Sequence, residues 1–554
     1  MSEIWHPLVA GADGVEWFEP LRLLINWKSA GLEIKQYKSK QTGREAFVLA
    51  SEFLFFRKGV TFSKIGSKFS GRSYRFASVF CDASSSLFPE NLGQFVCLLN
   101  SQMARNILQS LNPTVNFQTG DLNRLPAYTI PNADSIFATI DSAFTTHESH
   151  REPSVEFKSP GPSPWRHAQQ WAQRSVDRPE GVPLPHYEPG CDQPEPVAFV
   201  SFAIGVALGR FGAQGEGILD LTPASALPGG VLFVSPEGHD SVEHPACVPL
   251  LSAWKEHGAA VGAGRELREY LTDGFFSHHK KLYENRPIYF PLSSAKKGYV
   301  AFVSIHRWQN DTLNVLLADH LVPEKRRLEG ELEDIRKERV QSTAKGKLDG
   351  KVEKRYGQAQ KLLEEITDFI AKVTQVAECG PPAPDDKTKP REVDARFVMD
   401  LDDGVMVNSA ALWPLLEPQW KDPKKWWKEL ATAVGRKDYD WAHLSARYFS
   451  ARVEAKCKDD PSLAVAHRCF WRLHPQRAYA WELRLQGEIG PTFTIDEPGS
   501  DEARAQFLDH HPEDAAQLRA TEEKRREREA GKAGEDDTPL LDQADDAESE
   551  ESDA

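Results

Sequence analysis

The stretch LNPTVNFQTGDLNRLP, Leu111 to Pro126, organises the reading of this 554-residue chain. Asn112 and Pro113 mark a turn, because the proline ring fixes φ and biases the preceding residue away from the helix. A helix begins near Asp121, and Asn116 and Gln118 stand on the loop-like stretch before it, on either side of Phe117. Before the turn comes an apolar, helix-like run, Leu92 to Leu111, and before that the β-rich runs AFVLASEFLFF and YRFASVFCD. Strands followed by helices over residues 15–130 make an α+β module, and α+β is the fold class expected of the whole chain.

Working outward, the chain is long enough for several domains with cores of their own. Hydrophobic residues at 40% and charged residues at 27% are those of a globular protein. The longest apolar run, around Ala198 to Gly209, is too short to cross a bilayer. MSEIWHP carries no basic region leading into an apolar core, so no secretory signal is expected there. Seven cysteines at irregular spacing fit reduced thiols, and the expected location is the cytoplasm.

The net charge of −15 argues against nucleic acid only until it is mapped. Residues Ala533 to Ala554 hold ten acidic side chains and no basic one, two thirds of that net charge. Between Arg57 and Arg75, by contrast, six basic residues occur with no acid: Arg57, Lys58, Lys64, Lys68, Arg72 and Arg75. Phe62, Phe69 and Tyr74 interleave with them, a pattern of short strands whose polar faces suit phosphate. A solvated sheet edge guarded by cations gives the same pattern. Base-edge readout calls for amides facing adenine and arginine facing guanine, which makes Asn116, Gln118, Arg72 and Arg75 candidates. Asn116 and Gln118 would equally serve to satisfy backbone groups or cap the following helix.

The remaining organisation is read from composition shifts. Residues 1–144 form the first module, and residues 145–196, with SPGPSPW and GVPLPHYEPG, read as a proline-rich linker or surface strap. Residues 197–322 form a second α+β block, and residues 323–378 a long helical hairpin or coiled coil. Its seam is expected at Leu328, Leu332 and Ile335, and again at Ala359, Leu363, Ile366, Ile370, Val373 and Ala377. Residues 390–515 are a tryptophan-rich, mostly helical domain whose Trp413, Trp420, Trp426 and Trp427 belong to a core. Residues 516–554 carry a charged helix, EEKRREREAGK, and a tail expected to be disordered.

Five stretches together resemble one family. NPTVNFQTGDLNRLP is similar to the segment closing the target-recognition region of the PglX-like adenine methyltransferases of BREX and DISARM phage-defence systems. WFEPLRLLINWKSAGLEIKQY (Trp17 to Tyr37) resembles the passage just after that family's catalytic domain, and GVTFSKIGSKFSGRSYRF (Gly59 to Phe76) its basic recognition strands. ENRPIYFPLSSAKKGYVAFVSIHRWQNDTL (Glu284 to Leu313) and DLDDGVMVNSA (Asp400 to Ala410) resemble later signatures, in the family's order. The resemblance implies double-stranded DNA as partner, together with a methyltransferase catalytic domain or subunit and other proteins of the defence system. The DNA-binding residues expected are Lys64, Lys68, Arg72, Arg75, Asn116 and Gln118, with the long helices as spacers.

Departures from the family's pattern shape the functional expectation. An adenine methyltransferase grips its flipped base with an Asn-Pro-Pro-aromatic loop, but Thr114 and Val115 follow Asn112 and Pro113 here. No strand leads into an acidic, glycine-rich turn for S-adenosylmethionine; GAAVGAG, Gly258 to Gly264, lacks the preceding strand and reads as a helix junction. No catalytic, cofactor-binding or metal residue is therefore assigned, and the cofactor is expected in the complete enzyme. The chain reads as the recognition portion of such an enzyme, or as a non-enzymatic DNA-binding or scaffolding subunit. Asp400, Asp402 and Asp403 lack a calcium-loop pattern. Cys457, His467, Cys469 and His474 match no usual zinc spacing. His306 and Asp311 are expected to play structural roles.

Overall fold

The computed structural model describes residues 4–12, 14–37, 51–66, 68–81, 83–220, 223–344, 350–379, 397–400, 405–432 and 439–533. Asp402, Asp403 and the acidic tail lie outside these residues. The chain divides into two units, Met1–Ile25 with Ala50–Phe449, and Asn26–Leu49 with Ser450–Ala554. Both small sheets belong to an otherwise helical, α+β architecture. Among the described residues no helix is long and apolar enough to cross a membrane.

The first sheet comprises β1 (Trp5–Val9), β2 (Trp17–Glu19), β3 (Leu23–Asn26), β4 (Arg57–Ser63), β5 (Gly71–Phe80) and β6 (Ser84–Leu87). Its order is β3-β1-β5-β4-β6, with β2 also pairing β5. Thus β5 pairs in parallel with β2 through Arg72 to Tyr74 and with β1 through Val79 and Phe80, while β4 runs antiparallel on its other side. Helix Leu92–Asn100 packs directly on β5: a Cβ on Gly71 would lie 2.8 Å from Leu99 Cβ, so only glycine fits. Helices Ala133–His150 and Trp165–Val176 complete a core of Trp17, Phe18, Phe62, Val96, Leu108, Phe117, Ile136, Phe144 and Trp171.

Residues 145–196 are more than a linker. The helix Trp165–Val176 buries Ala168, Trp171 and Ala172 in that core, and the strap after it stays because Trp171 Nε1 donates to Pro185 O at 2.9 Å. Composition favours an extended strap, yet an apolar face of four residues, Val176 included, suffices to dock the helix.

In the second block, β7 (Val231–Val234), β8 (Tyr289–Ser293) and β9 (Val300–Ser304) form an antiparallel sheet in the order β7-β9-β8, every residue buried. Trp420 packs on this block through Phe276 and Phe290, with ring centroids 5.8 and 6.4 Å away. The tryptophan cluster up to Phe449 therefore belongs to the first unit, and the 390–515 segment is not one domain. Asp400 meets His443 Nε2 at 2.7 Å.

Helices Val322–Ala344 and Gly350–Cys379 form the expected hairpin. Leu328, Leu332, Ile335, Ala359, Ile366 and Val373 are buried as read from the sequence. Phe369 and Val376 are also buried, whereas Ile370 and Ala377 are only half-buried. In the second helix the buried positions keep a seven-residue repeat, Ala359, Ile366 and Val373 with Phe369 and Val376, so the second row of the seam lies three residues after the first and not four.

The second unit is helical. Phe470, Trp471, Ala478, Tyr479, Leu485 and Phe507 are buried, and Arg504 bonds the buried Glu482 at 2.8 Å. Lys35, on helix Lys28–Lys35, pairs with Glu488 at 3.1 Å. His474 Nε2 lies 2.8 Å from Cys457 O.

Candidate nucleic-acid interface

The six side chains singled out by sequence do not share one surface. Arg72 lies inside: its side chain has no exposure, and Nε donates to Glu19 Oε2 at 2.6 Å. Nη1 donates to Ser63 Oγ at 3.0 Å and Ala12 O at 3.2 Å. Its strand segment is flanked by β2 and β4, so a phosphate cannot reach the guanidinium in this fold. Assigning Arg72 to DNA is thus corrected: both faces of β5 are covered from Gly71 to Tyr74, and a carboxylate neutralises the buried guanidinium.

Arg75 is turned toward helix Ala133–His150. It bonds Thr145 Oγ1 at 2.8 Å, pairs with Glu156, and sets its guanidinium 4.9 Å from the centre of the Phe144 ring. That combination of ion pair and cation–π contact fixes β5 to the helix layer. Lys68 pairs with Glu16 at 2.5 Å but keeps half of its side chain exposed. Lys64 is half-buried. At the other end of β4, Arg57 and Lys58 are exposed.

Beyond β4 the chain meets the Leu111–Pro126 stretch. Ile65 and Asn116 form an antiparallel bridge, flanked by Phe117 N donating to Lys64 O (2.6 Å) and Gly66 N to Val115 O (3.1 Å). The buried Phe117 packs against Phe69 at 5.1 Å between centroids, which anchors the loop on the core. Outward stand Val115, Asn116, Gln118, Thr119 and Ile65, all exposed, so Lys64, Asn116 and Gln118 come together in a single two-segment tip.

Asn112 holds this tip in shape. Its Oδ1 accepts from Thr114 N (3.1 Å) and Thr114 Oγ1 (2.7 Å), and its Nδ2 donates to Asn116 O (3.0 Å) and Asp121 Oδ2 (2.9 Å). The Asn-Pro-Thr run is thus an Asx turn with its amide consumed within the loop. Asp121 Oδ2 also accepts from Gln118 N at 3.2 Å, making Gln118 the N-cap residue of helix Thr119–Asn123. Ile65 escaped the sequence reading because a lone aliphatic residue among cations carries no signal until its opposite residue is known.

The glycine run Gly258 to Gly264 is the end of helix Val248–Gly262. Trp254 lies over Gly258 and Gly262, where a Cβ would come within 2.8 Å of the indole. These glycines admit the tryptophan ring.

No protein-family profile matches the chain. It is similar to the adenine-specific methyltransferase PglX of Lacticaseibacillus casei (strain Zhang), 23% identical over 507 aligned residues that take in 74% of this chain and 39% of that protein. It is also similar to the adenine-specific methyltransferase BrxX of Escherichia coli O9:H4 (strain HS), 20% identical over 511 aligned residues, 74% of this chain and 40% of that one. The chain thus spans about two fifths of the length of the curated relatives it matches.

Proposed function

We propose, with the likeness to PglX-like adenine methyltransferases over 74% of the chain as premise, that this is the DNA-recognition portion of an adenine-specific DNA methyltransferase in bacterial anti-phage defence. Transfer of a methyl group from S-adenosylmethionine to the adenine amino group falls to a catalytic domain or subunit that carries the cofactor loop. The single observation that carries the reading is the tip at Ile65 and Asn116. It sets an amide on an anchored, exposed, two-segment projection, where a rigid scaffold positions side chains for a groove. Lys64 and Lys68 supply phosphate contacts beside it, which position a protein without reading sequence.

The test maps adenine methylation across the DNA of cells that express this chain alone or together with the product of its upstream reading frame. Methylation at one motif in the paired strain alone is the expected result. Its absence in both strains, with duplex binding retained, moves the assignment to a DNA-binding or scaffolding subunit.

A further inference from the structure

We propose that Ile65 and Asn116 read one A·T base pair in the major groove, Asn116 bonding the adenine edge and Ile65 covering the thymine methyl. This rests on the recognition reading above and gives it a specific chemistry. The two residues sit directly opposite each other in an antiparallel bridge. Such pairs project their side chains from the same face, with Cβ atoms about 5 Å apart.

Ile65 is 69% exposed, the largest exposure among the large hydrophobic residues described in the first module. An aliphatic side chain held there gains no burial within the chain, and it is held there by backbone hydrogen bonds on either side of the bridge. Asn116 has both backbone groups engaged, its N–H with Thr114 Oγ1 at 3.2 Å and its carbonyl with Asn112 Nδ2 at 3.0 Å. Among the described residues, its side-chain amide makes no hydrogen bond. The loop thus fixes the backbone and leaves one donor and one acceptor facing outward beside a branched apolar group.

That combination matches a single base pair. In the major groove adenine presents the N7 acceptor and the N6 donor, which an asparagine amide meets with two hydrogen bonds. Its partner thymine presents O4 and a C5 methyl, and no G·C pair offers a methyl group. Phosphates on either side would be met by Lys64 and by the half-exposed Lys68.

The experiment uses the full chain and two randomised duplex libraries, one made with thymine and one with uracil, which differ only in the C5 methyl. The wild-type chain is expected to retain the thymine library about four-fold better, the worth of one buried methyl-sized group, and to enrich a motif containing an A·T pair. Ile65→Ala should erase the thymine–uracil difference. Asn116→Ala should lose the preference for adenine at that pair while phosphate-driven retention persists. Ile65 is exposed, so its replacement leaves the fold intact, as circular dichroism would verify. Equal retention of both libraries by a wild-type chain that binds DNA overturns the inference and leaves the recognition reading standing. So does a thymine–uracil difference that survives Ile65→Ala. Retention of neither library defeats the recognition reading itself.

Discussion

Lys64 and Arg72 look alike in the sequence, two cations among aromatic residues, and their separation comes from strand position. Among the described residues, removing Arg72 leaves the buried carboxylate of Glu19 paired with the exposed Arg22 alone, at 3.2 Å. Arg72→Ala is therefore expected to cost about 3–5 kcal/mol of stability, read as a lower urea midpoint. Replacing Lys64 and Lys68 with alanine should instead leave the midpoint within about 0.5 kcal/mol. It should weaken DNA binding and flatten the salt slope by about one unit for each phosphate left without its lysine. A second buried charge acts through pH. Glu152 accepts hydrogen bonds from Ser201 and Tyr283, both at 3.1 Å, and burial pushes its carboxyl up to about 7 from an ordinary 4.5. The folded state takes up this proton before the unfolded chain does, so its contribution is full below pH 4.5 and is lost as pH rises through 7. Glu152→Gln should accordingly be more stable than wild type at pH 8, by roughly 3 kcal/mol, with the gain vanishing near pH 4.5. Thermal melts across that range check it. His279 works in the opposite sense: it accepts from Ile288 and Tyr289 N–H, and burial lowers it from 6.5 to about 3. Its stabilisation is present above 6.5 and drains away as pH falls toward 3.

Among the elements, the tip loop and the helical hairpin show how far local patterns reach. Asn112→Ala removes four hydrogen bonds from the tip. Phe117 still anchors the loop, so the fold is expected to persist while limited proteolysis between Pro113 and Gly120 accelerates. Sequence selectivity for DNA should fall more than affinity. A loop that stays protected would show that Asn112 is dispensable to the tip. In the hairpin, Phe369→Ala is expected to cost about 3–5 kcal/mol and Ile370→Ala clearly less, because Phe369 is 1% exposed and Ile370 is half-buried. Equal losses on thermal unfolding would return the seam to Ile370. The hairpin itself was legible because its periodicity is local. Which of two neighbouring apolar residues faces the partner helix was not, since Phe369 and Ile370, like Val376 and Ala377, fit the same heptad count one position apart. The helix Trp165–Val176 was hidden for a related reason. Prolines on both sides dominate the composition, and most of its burying face is made of small residues, Ala168, Ala172 and Ser175.

At the scale of the whole molecule, an intact chain that binds duplex DNA yet methylates adenine only alongside a catalytic partner is the expected behaviour, and methylation mapping of the two strains decides it. The sequence by itself determined the α+β class, the position of the Asn-Pro turn, the hairpin's existence and the likeness to PglX-like methyltransferases. Each of these rests on patterns within a few turns of helix or strand, or on motif order along the chain. Only the tertiary structure decided which cations face solvent, that the tryptophan cluster packs on β8, and that Ile65 stands opposite Asn116. Those facts depend on pairings between distant segments, where β5 accepts β2 on one side and β4 on the other. A strand's own alternation tells which residues share a face. Whether that face meets water or a buried carboxylate is set by the neighbours that the fold brings beside it.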